Sequence, residues 1–265
     1  MAALSSQSRV GPLLREWRKR RRRTQLDLAL DAGISARHLS FVETGRSTPS
    51  AEMVLLLAER LEVPFRERNH LLLAAGHAPA FPERSLEDPE LAPVRDALDV
   101  ILARHEPYPA VVIDGRWNIV AANSATEALA ESLDPSLLEP PTDMPRVLRA
   151  LAPRIVNLAQ VRAYFVERLR RQAAITGDDD LAALVEELAG YATAERDREP
   201  ASEPAAAGIL MPVRLRAPDG SELSFFGMVA TFGTAFEVTT SELSIESFFP
   251  ADTATAEKLR NLPRR

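Results

Sequence analysis

Partway along this chain the spacing of apolar residues changes period, and that change constrains the fold more than any other feature. Up to His105 the apolar positions recur at three- and four-residue intervals, whereas from Ala110 onward short stretches alternate. A helical front followed by a back that mixes strands and helices is the arrangement this dictates. With 265 residues the chain has room for two cores. It has no run of about eighteen apolar residues, so no spanning helix is expected. The N-terminus is basic but lacks the apolar core of a secretory signal. The expectation is a globular, cytoplasmic protein with no membrane partner.

The inventory of reactive side chains narrows the chemistry. Cysteine is absent, which removes disulfides, thiolate metal sites and thiol nucleophiles. Of the four histidines, His38, His70, His77 and His105, only His105 lies beyond residue 77. Most of the chain therefore lacks the usual general base and the commonest metal ligand. The 32 basic residues include two lysines, Lys19 and Lys258. A self-cleaving Ser–Lys peptidase would have to use Lys258, and no Gly-rich phosphate loop of the Walker pattern is present. A non-enzyme with no metal and no required cofactor is expected.

The net charge of −6 hides a division. Residues 1–77 carry 13 basic and 8 acidic side chains, a net of +5, while the rest carry 19 and 30, a net of −11. The basic end contains the unbroken run Arg18-Lys19-Arg20-Arg21-Arg22-Arg23. That run continues a helix whose apolar face is Val10, Leu13, Leu14 and Trp17. Thr24 is a good N-cap for a helix over 25–32, and Gly33 stops it. Ile34 follows as a buried hinge residue, and Ser35 caps a third helix holding Leu39 and Val42. Ser50 caps a fourth, with Val54, Leu57, Ala58 and Leu61 inward; Pro64 opens a fifth that closes at Gly76. Five short helices with a tight glycine turn between the second and third make a helix-turn-helix domain.

Gln25-Leu26-Asp27-Leu28-Ala29, Gly33-Ile34-Ser35, Leu39-Ser40, Glu43, Gly45-Arg46 and Pro49-Ser50 resemble the XRE-type (Cro/CI-like) helix-turn-helix, over residues 9–62. The resemblance implies that Gln25 meets a phosphate at the groove edge and that the third helix enters the major groove. Ala36, Arg37, Ser40 and Phe41 would face base edges or flanking phosphates, with Arg37 placed for a two-point contact to guanine. Ala36 and Phe41 could offer only apolar contact, as to a thymine methyl. Arg22, Arg23, Thr24, Ser35, His38 and Arg46 complete the expected DNA-facing set, and the partner is a double-stranded operator. Glu43 reads as a structural partner for a neighbouring arginine.

Residues 78–88 read as a proline-rich connector. Asp88-Pro89 then starts a helix with Leu91, Val94, Leu98, Ile101 and Leu102 inward. Strands over Ala110–Asp114 and Trp117–Ala121 flank the hairpin signal Asp114-Gly115. Helices follow, one capped by Asn157 with Leu158, Val161, Phe165 and Leu169 inward and ending near Gly177. The next opens on Asp178–Asp180, with Leu181, Leu184, Val185 and Leu188 inward. Ala194–Ala207 has almost no large apolar residue and reads as a mobile loop. Three strands close the chain: one with Met211, Val213 and Leu215, one over Leu223–Phe232 with a bulge near Phe226-Gly227, and one with Leu243 and Ile245. A short helix over Thr253–Leu259 ends it.

Two strands, helices and three strands describe a five-stranded antiparallel sheet covered by helices, an order that resembles PAS domains. His105-Glu106-Pro107-Tyr108-Pro109-Ala110, Arg116-Trp117-Asn118, Ala121-Ala122-Asn123, Arg154-Ile155-Val156-Asn157, Leu223-Ser224-Phe225-Phe226, Thr231-Phe232-Gly233-Thr234 and the segment 246–252 resemble the MmyB-like ligand-binding domain. That domain follows an XRE-type domain in bacterial transcription regulators. The implied organisation is α+β: a helix-turn-helix domain over 1–77, a linker over 78–88, and a PAS-like domain over 89–265. The implied function is a DNA-binding regulator, a homodimer, that senses a small apolar and fatty-acid-like molecule. Trp117, Asn123, Arg154, Arg162, Phe165, Phe225, Phe226, Met228, Phe232 and Phe236 are the candidate ligand residues. The alternative is a constitutive regulator whose second domain serves dimerisation or partner docking.

Overall fold

A computed structural model of the chain describes residues 10–131, 133–134, 142–190, 212–217 and 219–261. It divides into two compact units, the first the chain up to Arg84 together with Ala174–Gly177 and Phe236–Val238, the second the remainder from Ser85 onward.

Five helices build the first unit: α1 (Val10–Arg20), α2 (Gln25–Asp31), α3 (Ala36–Glu43), α4 (Ala51–Arg60) and α5 (Phe65–Ala74). Each helix start has a local cause. The Thr24 hydroxyl accepts the Asp27 amide while the Asp27 carboxylate accepts the Thr24 amide, both at 3.1 Å, a reciprocal cap. Ser35 and Ser50 accept the amides of His38 and Met53 at 3.1 and 3.2 Å. Gly33, at φ +67°, reverses the chain between α2 and α3 in a conformation that a Cβ would oppose. Ile34 after it is half-buried, packed at the edge of the core rather than inside it, with its amide on the Ala29 carbonyl of α2 at 2.9 Å.

All five helices contribute to one core: Val10, Leu14 and Trp17, Leu28, Leu39 and Val42, Val54 and Leu57, Leu71 and Leu72. Burying each leucine stabilises by ~1.5–3 kcal/mol, more than the ~1 kcal/mol of a cap, so the core holds the helices together and the caps set where they begin. Leu13 is exposed, outside the buried stripe. Residues 78–84 pack on α5 instead of running free. Asn69 accepts the amides of Ala80 and Phe81, both at 3.0 Å, and Phe81 stacks on Phe65 with ring centres 4.3 Å apart.

The second unit begins with a 3-10 turn at Pro89–Leu91 and α6 (Ala92–His105), then β1 (Ala110–Ile113) and β2 (Ile119–Ala122). Four helices follow: α7 (Ser124–Ala130), α8 (Met144–Leu151), α9 (Leu158–Thr176) and α10 (Asp179–Ala189). After them come β3 (Pro212–Arg216), β4 (Glu222–Thr231), α11 (Val238–Glu242), β5 (Ser244–Pro250) and α12 (Thr253–Arg260). The strands form one antiparallel sheet in the order β2-β1-β5-β4-β3.

All four residues of β1 are buried because the strand lies between two cores. Val111 and Ile113 join the cluster with Leu148, Val161, Phe165, Leu215 and Phe225. Ala110 and Val112, facing the other way, join Leu98 and Leu102 of α6 with Leu243 and Ile245. Ile101 of α6, expected inside, is 38% exposed.

Two local expectations are corrected. The β4–β5 register runs unbroken through Phe226↔Phe249, Gly227↔Phe248 and Met228↔Ser247, so β4 has no bulge there. Its alternation fades because the strand loses its cover beyond Phe226, and the irregularity lies instead between Val112 and Ile113. The β1–β2 turn is wider than expected: Asp114 Oδ1 accepts the amides of Arg116 and Asn118, at 2.8 and 2.9 Å, and β2 starts at Ile119. The loop expected over Ala194–Ala207, and Met211, lie outside the described residues.

Candidate functional site

The basic run of the first unit is largely occupied within it. Arg18 grips Glu43 at two points, Nε–Oε1 2.6 Å and Nη2–Oε2 2.9 Å, and its Nη1 donates to the Arg23 carbonyl. The hydrogen bond to Glu43, first, and its charge raise the Arg18 pKa further against the opposing effect of burial. Arg20 pairs with Glu16, Arg21 donates to the Leu61 and Glu62 carbonyls, and Arg23 pairs with Asp31 at 2.7 Å. Gln25, expected at a phosphate, donates its amide to Glu43 Oε2 at 2.8 Å, so that donor is turned inward. Arg22 is exposed, at φ +53°. Thr24 and Ser35 act as caps.

The open cations are elsewhere. Arg37 and Arg46 are exposed, and neither has a carboxylate partner among the described residues. Both guanidiniums lie against the Phe41 ring, Arg37 at 5.4 Å and Arg46 at 6.0 Å from its centre. Ala36 packs on the core, and His38, Ser40 and Phe41 are half-buried. Arg37 and Phe41 of α3 and Arg46 of the turn after it therefore form one group.

In the second unit a cavity of about 140 Å³ opens between the sheet and the helices. Its walls include Val111 of β1, Ile119 of β2, Leu215 of β3, Phe225 of β4 and Phe248 of β5. Leu129 of α7, the stripe Met144, Val147, Leu148 and Leu151 of α8, Ile155, and Val161 and Phe165 of α9 also line it. Thr126 lines it too, but its hydroxyl donates to the Ala110 carbonyl at 3.0 Å. Among the described residues no charged side chain lines it. Residues 154–156 are stitched to β3 by Val156 N–H to Arg214 O and Arg216 N–H to Arg154 O, both 2.8 Å, which fixes one wall.

Of the candidate ligand residues, Phe165 and Phe225 reach this cavity. Trp117 is behind Phe165, edge to face at 5.8 Å, with its indole N–H on Gln172 and the Arg168 guanidinium over its ring. Asn123 caps α7 and bonds the Ala110 amide and Tyr108 carbonyl, so it serves the backbone. Arg154 donates to the Arg216 and Leu129 carbonyls, both at 3.0 Å, and burial lowers its pKa. Arg162 is half-buried on α9, away from the lining. Phe226 stacks on Phe249, on the sheet face opposite Phe225. Phe232 packs with the α6 cluster. Met228 and Phe236 are 53% and 84% exposed, which removes both from the cavity.

The sequence reading missed α7, α8 and Phe248. Asp143, which caps α8 by accepting the Arg146 amide at 2.7 Å, and the i, i+3, i+4, i+7 stripe behind it were the available signal.

Lys258 does sit beside a serine. Its ammonium donates to Ser221 Oγ and to Asp219 Oδ2, the latter at 2.7 Å, and Ser221 also donates to Asp219. The Lys258 and Ser221 hydrogen bonds hold the Asp219 carboxyl well below the usual range. This exposed trio fastens the β3–β4 turn to α12. Among the described residues no group of three or more His, Asp or Glu is placed to hold a metal ion, and no helix is long and apolar enough to cross a membrane.

Comparison with known proteins gives two family matches. Residues 14–68 match the helix-turn-helix family, and residues 94–262 match the MmyB-like transcription regulator ligand binding domain. An uncharacterized HTH-type transcriptional regulator, RghRB, of Bacillus subtilis (strain 168) is 35% identical over 118 residues, 44% of this chain and 76% of that one. Among solved structures, an RNA-binding light-oxygen-voltage receptor aligns with 98% of this chain and 62% of its own at 16% identity, with a TM-score of 0.29.

Proposed function

Because the chain belongs to the MmyB-like transcription regulators, DNA-binding proteins that join a helix-turn-helix to a ligand-binding domain, we propose that the 140 Å³ cavity takes a small apolar molecule whose presence alters operator binding. The apolar lining carries this reading. A polar ligand would lose its hydrogen bonds to water there and find none in return, whereas each buried methylene contributes ~0.8 kcal/mol. The volume is that of a cavity which binds benzene, about 150 Å³, and below the ~300 Å³ of common ligand pockets. The end of a fatty-acid-like chain, or a single ring, fits without rearrangement, and a carboxylate head would stay outside the lining.

On this reading two copies present their α3 helices to half-sites one DNA turn apart, roughly 34 Å. Helix α6 transmits the state of the sheet. Native mass spectrometry of gently purified protein, followed by DNA-binding isotherms before and after delipidation, tests it. A co-purifying adduct of lipid size whose removal changes affinity is the expected result. Unchanged affinity in both states would leave the second reading, a constitutive regulator whose second domain dimerises. The exposed Met228 and Val229 of β4 and Val100 and Ile101 of α6 favour that alternative.

A further inference from the structure

The Arg18–Arg23 run looks like the principal DNA contact, yet Arg18, Arg20, Arg21 and Arg23 are engaged with partners inside the protein. Arg37 and Arg46 differ from them. They are nine positions apart but share one aromatic ring. The first is one helical turn before Phe41 on the same face. The second comes back to it because Gly45, at φ +72°, reverses the chain, and the amides of Arg46 and Ser47 both donate to the Phe41 carbonyl, at 2.8 and 3.1 Å. Thr44 ties the same turn down through its hydroxyl on the Ser40 carbonyl at 2.7 Å.

Two guanidiniums gathered on one ring, with no ion pair to a carboxylate among the described residues, repel each other, and an incoming anion relieves that repulsion. The ring's electron-rich faces hold both against it. We propose that Phe41 is a positioning residue: it sets Arg37 for a guanine edge and Arg46 for an adjacent phosphate, and does not itself read a base. This rests on the DNA-binding reading of α3. It replaces the expected role of Phe41 as a contact for a thymine methyl. Ordering two long side chains before binding lowers the entropy lost on contact, so the ring acts on affinity without touching DNA.

The test uses the full chain and a duplex selected by the wild-type protein from a random 20-base-pair pool. Phe41→Leu keeps an apolar side chain but no ring face, and is expected to weaken binding about tenfold. Phe41→Trp is expected to stay within about threefold of wild type, the rescue a purely packing role would not give. In an Arg37→Ala/Arg46→Ala background, Phe41→Leu should add nothing further. Arg46→Ala should reduce the salt slope by about one, and Arg37→Ala should relax base preference. Equal losses for Phe41→Leu with and without the arginines, or a matching loss when uracil replaces thymine in the duplex, would overturn the proposal.

A readout without DNA separates this from the broader reading. In the free protein the Arg37 and Arg46 Nε–H resonances should carry a ring-current shift that Phe41→Leu removes. If no duplex is enriched yet that shift behaves so, DNA recognition by α3 fails while the platform stands. If the shift is absent, the platform fails whatever the duplex does.

Discussion

Arg18 and Glu43, 25 residues apart, form a two-point ion pair whose carboxylate side chain is 1% exposed. It joins the last turn of α1 to the end of α3, and Gln25 from the start of α2 donates to the same carboxylate. Three helices of the DNA-binding unit therefore meet at one acid. Removing one member leaves the other buried without a counter-charge, which costs about 3–5 kcal/mol. Glu43→Ala should lower the stability of this unit by that amount in urea melts followed by Trp17 fluorescence. Glu43→Gln, which keeps one acceptor oxygen, should fall between it and wild type.

Gly11 of α1 lies against the end of α3. A Cβ there would approach the Val42 and Glu43 carbonyl oxygens to 2.4 and 2.7 Å. Since both are backbone atoms, no rotamer change relieves the clash. Gly11→Ala should destabilise by about 1–3 kcal/mol, although alanine favours helices. Calorimetry of the two proteins checks the sign.

Filling the cavity separates ligand binding from folding. Leu148→Trp on α8 should displace an apolar ligand and make DNA affinity independent of it. Native mass spectra should then lose the adduct while the melting profile keeps its shape. Leu148→Ala is the contrasting case, with a loss of about 2–5 kcal/mol and room for a larger molecule.

Acid should weaken the protein through identifiable carboxylates. Thr24 lowers the Asp27 pKa, Arg214 lowers that of Glu222, and Lys258 with Ser221 lowers that of Asp219. Depressed folded-state values mean the unfolded chain binds protons more readily. The stability they contribute is complete above their unfolded values near pH 4, and is lost as pH falls through the lower folded ones. Melting temperatures between pH 2 and 7 should show the decline, and Asp219→Asn should flatten part of it.

The caps at Thr24, Ser35 and Ser50 and the glycine turn at Gly33 were readable because each depends on neighbours within a few residues. So was the structural role of Glu43, though not which arginine it holds. The engagement of the basic run could not be read, because Arg18 and Arg21 reach partners tens of residues away. Alternation could say that Phe225 and Phe226 face opposite ways, but only the register with β5 decides which one meets the cavity. Arg154 and Arg162 stood among the candidate ligand residues, and Arg154 instead closes off two carbonyls, of Arg216 and Leu129, that the sequence could not pair with it. For Phe41 the sequence showed an apolar residue on a reading helix. That two arginines converge on it follows from the turn at Gly45, nine residues after Arg37's neighbour Ala36.

In β1, Val111 and Ile113 face the core that holds the cavity, while Ala110 and Val112 floor the one beneath α6. Consecutive residues of a strand are joined by rigid peptide planes and rise only ~3.3 Å each, so one side cannot move without the other. The strand is a partition with no insulation. A molecule in the cavity that pressed on Val111 would press as well, one peptide away, on the footing of α6.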